Sequence, residues 1–171
     1  MPKYVFEPHE KIFEQLFIAE QKRIQKAVKE PIVIEHIGST AILGLAGKGI
    51  IDIAVGGNKE DMQTISQELQ KIEYEFRPGP STEERLFHRI DLPDSLGKLR
   101  RYHVHLTYLN SRDWQEMIAF RNYLRSNKEA RERYANLKQY AANTVNEDGV
   151  QYRKLKEPMI QEILKKALSE K

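Results

Sequence analysis

Residues 34–55, "IEHIGSTAILGLAGKGIIDIAV", contain two apolar segments separated by a loop of small residues. The segments "IVIEHIG" (32–38) and "IIDIAV" (50–55) are rich in the β-branched residues typical of strands. Asp52 lies between Ile51 and Ile53 in the second segment. A carboxylate in an apolar strand costs free energy unless it has a partner. Asp52 and the loop before it are therefore the first candidates for a functional site.

The remaining patterns predict an α+β fold. A period of 3.6 residues predicts an N-terminal helix, a central helix and three C-terminal helices, at 9–30, 60–72, 112–127, 128–142 and 150–166. Further strands are predicted at 74–78, 85–91 and 100–109, the last two as a hairpin with a turn-rich loop. We expect a single domain, 1–171, with a sheet-containing core (1–110) and a helical tail (111–171).

Composition restricts the classes of function. Of 171 residues, 40% are hydrophobic and 31% are charged, which is typical of a soluble globular protein. The absence of cysteine excludes disulfides, zinc–thiolate sites and a cysteine nucleophile. Without a signal-peptide pattern or a membrane span, we expect a cytoplasmic protein. A net charge of +3 is low for a nucleic-acid binder, and it suits a phosphate-bearing small molecule as partner. The oligomeric state is left open.

The loop has the features of an anion site. Gly38 allows a ligand to approach the backbone, and the hydroxyl groups of Ser39 and Thr40 follow directly. If a helix begins at Ser39, its free N–H groups would face the same ligand, and Lys48 could add a positive charge. The alternative is an ordinary helix N-cap without a ligand.

Asp52 and two histidines are the candidates for catalysis and metal binding. Asp52 could bind Mg²⁺, or it could be a structural carboxylate paired with Lys48 or an arginine. His103 and His105 are two residues apart in a predicted strand, so both lie on one face. Such a pair could bind a metal or share acid–base work, although a solvated strand face is the alternative.

Seven segments, in order and across nearly the whole chain, resemble the GrpB family, a branch of the nucleotidyltransferase superfamily. They are "EHIGSTAILGLAGKGIIDIAV" (35–55), "RLFHR" (85–89), "RYHVHL" (101–106), Trp114, "FRNYLR" (120–125), and the segments 134–138 and 152–160. The resemblance implies a nucleotidyltransferase-like mixed β-sheet core with an N-terminal helix and a C-terminal helical subregion. In such a core a Gly-Ser motif opens a helix and grips nucleotide phosphates. The next strand carries metal-binding acids.

By this resemblance, Gly38 and Ser39 match the Gly-Ser motif and Asp52 matches the first acid. The position of the second acid holds Ala54, and the strand expected to carry the third acid offers His103 and His105. The metal site would then consist of Asp52, His103 and His105. The resemblance also favours Arg121, within "FRNYLR", as a phosphate-binding residue, with a surface or ion-paired arginine as the alternative.

Two functions follow from this pattern. The first is metal-dependent transfer of a nucleotidyl group from a nucleoside triphosphate to an unidentified acceptor, with Mg²⁺, Mn²⁺ or Zn²⁺ as the divalent cation. The second is a non-catalytic binding module for a nucleotide or a coenzyme-A-related ligand. Ala54 favours the second function, because two-metal catalysis depends on carboxylates that hold both cations.

Overall fold

The computed structural model describes residues 10–144 and 149–169. Its elements, in chain order, are α1 (Ile12–Ala27), β1 (Val33–Ile37), β2 (Ile51–Gly57), α2 (Met62–Lys71), β3 (Glu75–Arg77), β4 (Arg85–Pro93), β5 (Leu99–Tyr108), α3 (Arg112–Ser126), α4 (Lys128–Thr144) and α5 (Gly149–Ser169). Short 3-10 turns at Ser39–Ala41 and Lys59–Asp61 precede β2 and α2. The predicted α+β class, with a helix before the sheet and a helical region after it, is confirmed.

The five strands form one mixed sheet in the order β1-β2-β5-β4-β3. The central pair, β2 and β5, is parallel, and the other neighbours are antiparallel. In the parallel pair, Asp52 lies beside His103 and Ala54 lies beside His105. The predicted hairpin is present as β4 and β5, and its loop is held by Asp94 Oδ1, which accepts hydrogen bonds from the N–H groups of Leu96 and Lys98.

Alternation along the strands separates the two faces of the sheet. Ile51, Ile53 and Val55 of β2 are fully buried in the larger core, which α1 and α2 cover. The opposite face of β2 carries Asp52. A second core, between the loop after β1 and the C-terminal helices, includes Ile42, Leu45, Leu124, Tyr134 and Ile163. The functional candidates therefore lie on the face that the helical tail approaches.

The predicted element bounds differ in detail from the observed ones. Helix α1 ends at Ala27, three residues earlier than predicted, and Val28 N–H closes its last turn on the carbonyl of Ile24. The predicted start at residue 9 lies outside the described residues. Helix α3 begins where the sequence indicates, because Ser111 accepts a hydrogen bond from the Trp114 N–H as its N-cap. Among the described helices, none has the length and apolar character needed to cross a membrane.

A buried ionic contact joins α1 to the segment before β3. Glu20 is 4% exposed, and its carboxylate accepts hydrogen bonds from Arg23 and from the hydroxyl of Tyr74, at 2.8 Å for the latter. Arg23 also donates to the carbonyl of Ile72. A buried carboxylate needs such partners, so this cluster fixes α1 against the sheet edge.

We expect Tyr74→Phe to lower the free energy of unfolding by about 1–3 kcal/mol, because Glu20 then loses one donor while it stays buried. The measurement is urea denaturation of the purified chain. Tyr140→Phe is the matched control, since Tyr140 is 59% exposed on α4, and its effect is expected within about 0.5 kcal/mol. Equal stability of the two variants would contradict this role for Tyr74.

Candidate functional site

The parallel pairing of β2 with β5 brings Asp52, His103 and His105 into one cluster. Asp52 Oδ1 lies 3.5 Å from His103 Nδ1 and 3.3 Å from His105 Nε2. The ring of Phe87, on the neighbouring strand β4, contacts both imidazoles edge-on, with centroid distances of 4.8 and 5.3 Å. The two histidines therefore share a face, as alternation predicts, and both contact Asp52.

Asp52 is a stable carboxylate in this setting. Burial acts to raise its pKa, but the hydrogen bonds and charges of His103 and His105 prevail and hold the pKa well below the usual range. The carboxylate is consequently ionised at neutral pH. It can orient the two imidazoles and stabilise a proton on either of them.

The Gly-Ser segment lies directly against this cluster. Gly38 has φ of +77°, and a Cβ atom at this position would collide with Asp52 Oδ2. The close approach of backbone and carboxylate therefore requires glycine. Ser39 follows and packs its hydroxyl group against Gly47, where a Cβ atom would collide with Ser39 Oγ.

The helix expected to begin at Ser39 is absent, which corrects the basis of that anion-site prediction. The segment Ser39–Ala41 is a single 3-10 turn, and Ile42 after it is already extended. One turn does not align the free N–H groups that make the N-terminus of a long helix an anion site. A phosphate near Ser39 would have to be held mainly by side chains.

A cavity of about 660 Å³ surrounds the cluster, and we name it the Asp52 cavity. The core contributes Ser39, Lys48, Ile50, Asp52, Arg85, His103 and His105, and the helical tail contributes Tyr134, Lys138, Tyr152, Arg153, Lys156 and Ile160. Five of these side chains are cationic. The cavity therefore combines one carboxylate–imidazole cluster with a wall of positive charge.

Two lysines of this wall have lowered pKa values. Burial, followed by repulsion between the cations, lowers the pKa of both Lys138 and Lys156 to about 8. Lys138 is 8% exposed, and its Nζ donates to the carbonyl of Ala46 at 3.4 Å. Lys156 Nζ lies 4.5 Å from the ring centroid of Tyr152. An anion bound between them would relieve both the desolvation and the repulsion.

The tail residues of this cavity were missed as site residues. A signal was present, since Tyr134 and Lys138 are four apart, as are Tyr152 and Lys156. Residues four apart lie on one face of a helix. Each helix thus presents an aromatic ring and an ammonium group together, and Lys138 Nζ lies 5.4 Å from the centroid of the Tyr134 ring.

Two predicted phosphate-binding residues do not line the Asp52 cavity. Thr40 is buried, and its hydroxyl donates to the carbonyl of Ile50 and contacts His36 Nε2 at 3.0 Å. Arg121 is also buried, and its Nη1 donates to Glu35 Oε2 at 2.7 Å and to the carbonyl of His36. The structure corrects both assignments, because these polar groups are used within the fold. For Arg121, the ion-paired alternative is the observed one.

The predicted metal centre consists of three side chains that contact one another. Within residues 10–144 and 149–169, no three His, Asp or Glu side chains are arranged to hold a metal ion. Asp52 Oδ1 instead contacts both imidazoles directly. A metal-bound imidazole usually donates its second N–H to an acceptor, whereas His105 Nδ1 is buried without a hydrogen-bond partner among the described residues. Metal binding by Asp52, His103 and His105 therefore stays a prediction.

Comparison with known proteins gives the family. The family model described as "GrpB protein" matches residues 4–166. The chain belongs to the GrpB family. It is 33% identical over 165 residues to a UPF0157 protein of Pseudomonas aeruginosa, with 95% of this chain and 66% of that protein covered. It is 29% identical to the glutamate-rich protein GrpB of Alkalihalophilus pseudofirmus, with 91% of both chains covered.

Solved structures agree with this membership. The crystal structure of the conserved protein GrpB from Enterococcus faecalis superposes with a TM-score of 0.81 at 28% identity, and it covers 97% of this chain and 98% of that chain. The structure of Cid1 with the UTP analogue UMPNPP aligns with a TM-score of 0.45 at 12% identity, over 78% of this chain and 44% of that chain. A similarity this low is too weak to support an assignment. The GrpB chain spans about two thirds of the Pseudomonas relative, at 66%.

We expect Gly38→Ala to destabilise the GrpB chain more than Gly97→Ala. Both glycines have positive φ, +77° and +84°, but a Cβ atom at Gly97 meets no atom within 4 Å. Gly97→Ala therefore measures the backbone cost alone, about 1–2 kcal/mol, and Gly38→Ala adds about 1–3 kcal/mol from the collision with Asp52. Thermal and urea unfolding of both variants provide the measurement. Equal losses would show that the Gly38–Asp52 approach is not tight.

Proposed function

We propose that this GrpB chain binds a nucleoside triphosphate in the Asp52 cavity and transfers its nucleotidyl group to an acceptor hydroxyl. The observation that carries the proposal is the convergence of five cationic side chains on the Asp52–His103–His105 cluster. Phosphate groups need opposite charge and hydrogen-bond donors, and lysine and arginine supply both. The volume of about 660 Å³ lies within the range of small-molecule sites.

The proposed reaction requires an acceptor oxygen, a base and side chains that neutralise phosphate charge. An oxygen of the acceptor attacks the α-phosphorus, the bond from that phosphorus to the oxygen bridging to the β-phosphorus breaks, and pyrophosphate leaves. The acceptor proton passes to a base, for which His103 is suitable because Asp52 orients its ring and stabilises the imidazolium. Lys138 and Lys156 would neutralise charge on the phosphates. Asp52, His103 and His105 are the side chains that would hold a divalent cation, and dependence on Mg²⁺, Mn²⁺ or Zn²⁺ stays a prediction.

The second candidate is binding of a nucleotide or coenzyme-A-related ligand without turnover. The observation that favours it is Ala54, which is fully buried in register with His105 and with Glu35 of β1. No carboxylate is present at the position where the resemblance implies a second metal-binding acid. The same cavity would then hold phosphates while the charge needed for catalysis is reduced.

Titration calorimetry with ATP, GTP, CTP and UTP, each with and without Mg²⁺, Mn²⁺ and Zn²⁺, separates these candidates. We expect saturable, metal-dependent binding of at least one nucleotide, and we expect the metal-dependent part to be weakened at least tenfold in Asp52→Asn and His103→Ala. Pyrophosphate release in the presence of small alcohols as acceptors would support transfer, and binding without release would support the second candidate. Absence of binding in every combination would overturn both.

The lysines predict how this binding depends on pH. Their free pKa of about 8 means that both are mostly protonated at pH 7 and mostly neutral at pH 9. A bound phosphate raises the pKa again, so affinity falls as pH rises, roughly tenfold per lysine between pH 7 and 9 if the ordinary value is restored. Asp52 stays ionised throughout this range, and burial keeps Tyr134 neutral by raising its pKa.

Calorimetry at pH 7, 8 and 9 on wild type, Lys138→Met and Lys128→Met checks this dependence. Lys138→Met should weaken binding at pH 7 roughly ten- to a hundredfold and flatten the pH profile, because one titrating contact is lost. Lys128 is the matched control, since it lies on the same helix with an 80% exposed side chain. A pH profile that is unchanged in Lys138→Met would exclude this lysine from the ligand.

A further inference from the structure

A second cavity, of about 580 Å³, lies against the turn that borders the Asp52 cavity. Ser39 lines the Asp52 cavity, whereas Thr40 and Ala41 line the second one. Its other walls come from α1, β1, α3 and α4, and they carry Arg121, Arg125 and Arg131. We name it the arginine cavity. It shares none of its lining side chains with the Asp52 cavity.

The three arginines are held in place by different kinds of acceptor. Arg121 is neutralised by its ion pair with Glu35. Arg125 Nε donates to the carbonyl of Ala41 at 2.9 Å, and Arg131 Nη1 donates to the carbonyls of Leu124 and Arg125. Carbonyl groups orient a guanidinium without cancelling its charge. Arg125 and Arg131 are thus fixed and cationic, as an anion site requires.

The electrostatics around Arg125 support an anionic ligand. Burial, followed by repulsion from Arg121, lowers the pKa of Arg125, and the opposing attraction of Glu35 and Glu14 does not restore it. Among the described residues, no hydrogen bond uses the Nη atoms of Arg125. Glu14 is exposed and can turn toward solvent, whereas Glu35 is already paired with Arg121. A carboxylate or phosphate oxygen would complete the donors that Arg125 presents.

Part of the lining of the arginine cavity is apolar. Phe17 lies in the wall with its ring stacked on His36, at a centroid distance of 4.6 Å. Ile18 is 40% exposed and Leu43 is 77% exposed, and both line the same cavity. Exposed aliphatic side chains next to oriented guanidinium groups are the composition of a site for an amphipathic ligand.

We propose that the arginine cavity binds a small organic anion, with its carboxylate or phosphate group on Arg125 and Arg131 and its apolar body against Ile18 and Leu43. The proposal is independent of nucleotide transfer, because the Asp52 cavity uses other side chains. It assigns a ligand site to Arg125 and Arg131, the arginines of this cavity that are not ion-paired to Glu35. Occupation would also stabilise the turn, since Arg125 is bonded to Ala41.

The test uses four probes: hexanoate, hexyl phosphate, 1-hexanol and inorganic phosphate. Each is titrated into the isotopically labelled chain, and the backbone amide signals of Ala41, Leu43 and Arg125 are followed by NMR. We expect saturable shifts at these signals with hexanoate or hexyl phosphate, and the tighter of the two identifies the anionic group. Binding of 1-hexanol and of inorganic phosphate should each be at least tenfold weaker.

Three variants make the assignment specific. Arg125→Gln should weaken binding of the anionic probes at least tenfold. Arg112→Gln is the matched control and should leave this binding unchanged, because Arg112 lies on the same helix with an 86% exposed side chain. Leu43→Ser should weaken binding of the hexyl probes and leave binding of inorganic phosphate unchanged. Because Leu43 is exposed, this variant keeps the test valid if Arg125→Gln unfolds. The proposal would be overturned if 1-hexanol bound as tightly as the anions, or if binding were unchanged in Arg125→Gln and Leu43→Ser. Chemical shift changes confined to the Asp52 cavity would overturn it as well.

Discussion

The parallel pairing of β2 with β5 is the constraint on which the candidate site depends. Its register places Asp52 beside His103, and alternation along β5 places His105 on the same face. A shift of one residue would turn both histidines into the apolar core and leave Asp52 without partners. The core residues on the opposite face, such as Ile53 and Val104, hold the register because both are fully buried.

Local patterns in the sequence are sufficient for much of this fold. Apolar periodicity predicts the helices, and alternation predicts the β4–β5 hairpin with both histidines on one face. These features depend on neighbouring residues along the chain, so the sequence contains the required information. The order β1-β2-β5-β4-β3 is different, since it is set by long-range packing. The contact of Asp52 with His103 and His105 follows from that order. The family resemblance grouped these three residues, whereas local patterns alone could not.

For the helical tail, too, local patterns do not determine which side chains reach the candidate site. The spacing of Tyr134 with Lys138 places ring and ammonium on one helix face, but it does not say which cavity that face meets. The position of Arg121 within a family-like segment suggested a phosphate ligand, whereas its guanidinium is bonded to Glu35. A charged residue in a helix can bind a ligand or form an ion pair within the fold, and tertiary packing decides which of the two occurs. Site residues on the tail were therefore harder to assign than those on the strands.

The charge balance of the Asp52 cavity links these observations to the proposed function. The resemblance of the sequence to the nucleotidyltransferase superfamily implies a site in which carboxylates hold cations that in turn neutralise phosphate. By that resemblance Ala54 occupies the position of one such acid, and Lys138 and Lys156 line the cavity. Loss of a carboxylate and gain of ammonium groups both make the net charge of the cavity more positive. Phosphate can then be bound with fewer cations between it and the protein. Without a ligand, burial and mutual repulsion raise the free energy of the charged form of these lysines, and their pKa values are lowered for this reason. This distribution of charge is the reason why we propose a phosphate-bearing ligand for the Asp52 cavity.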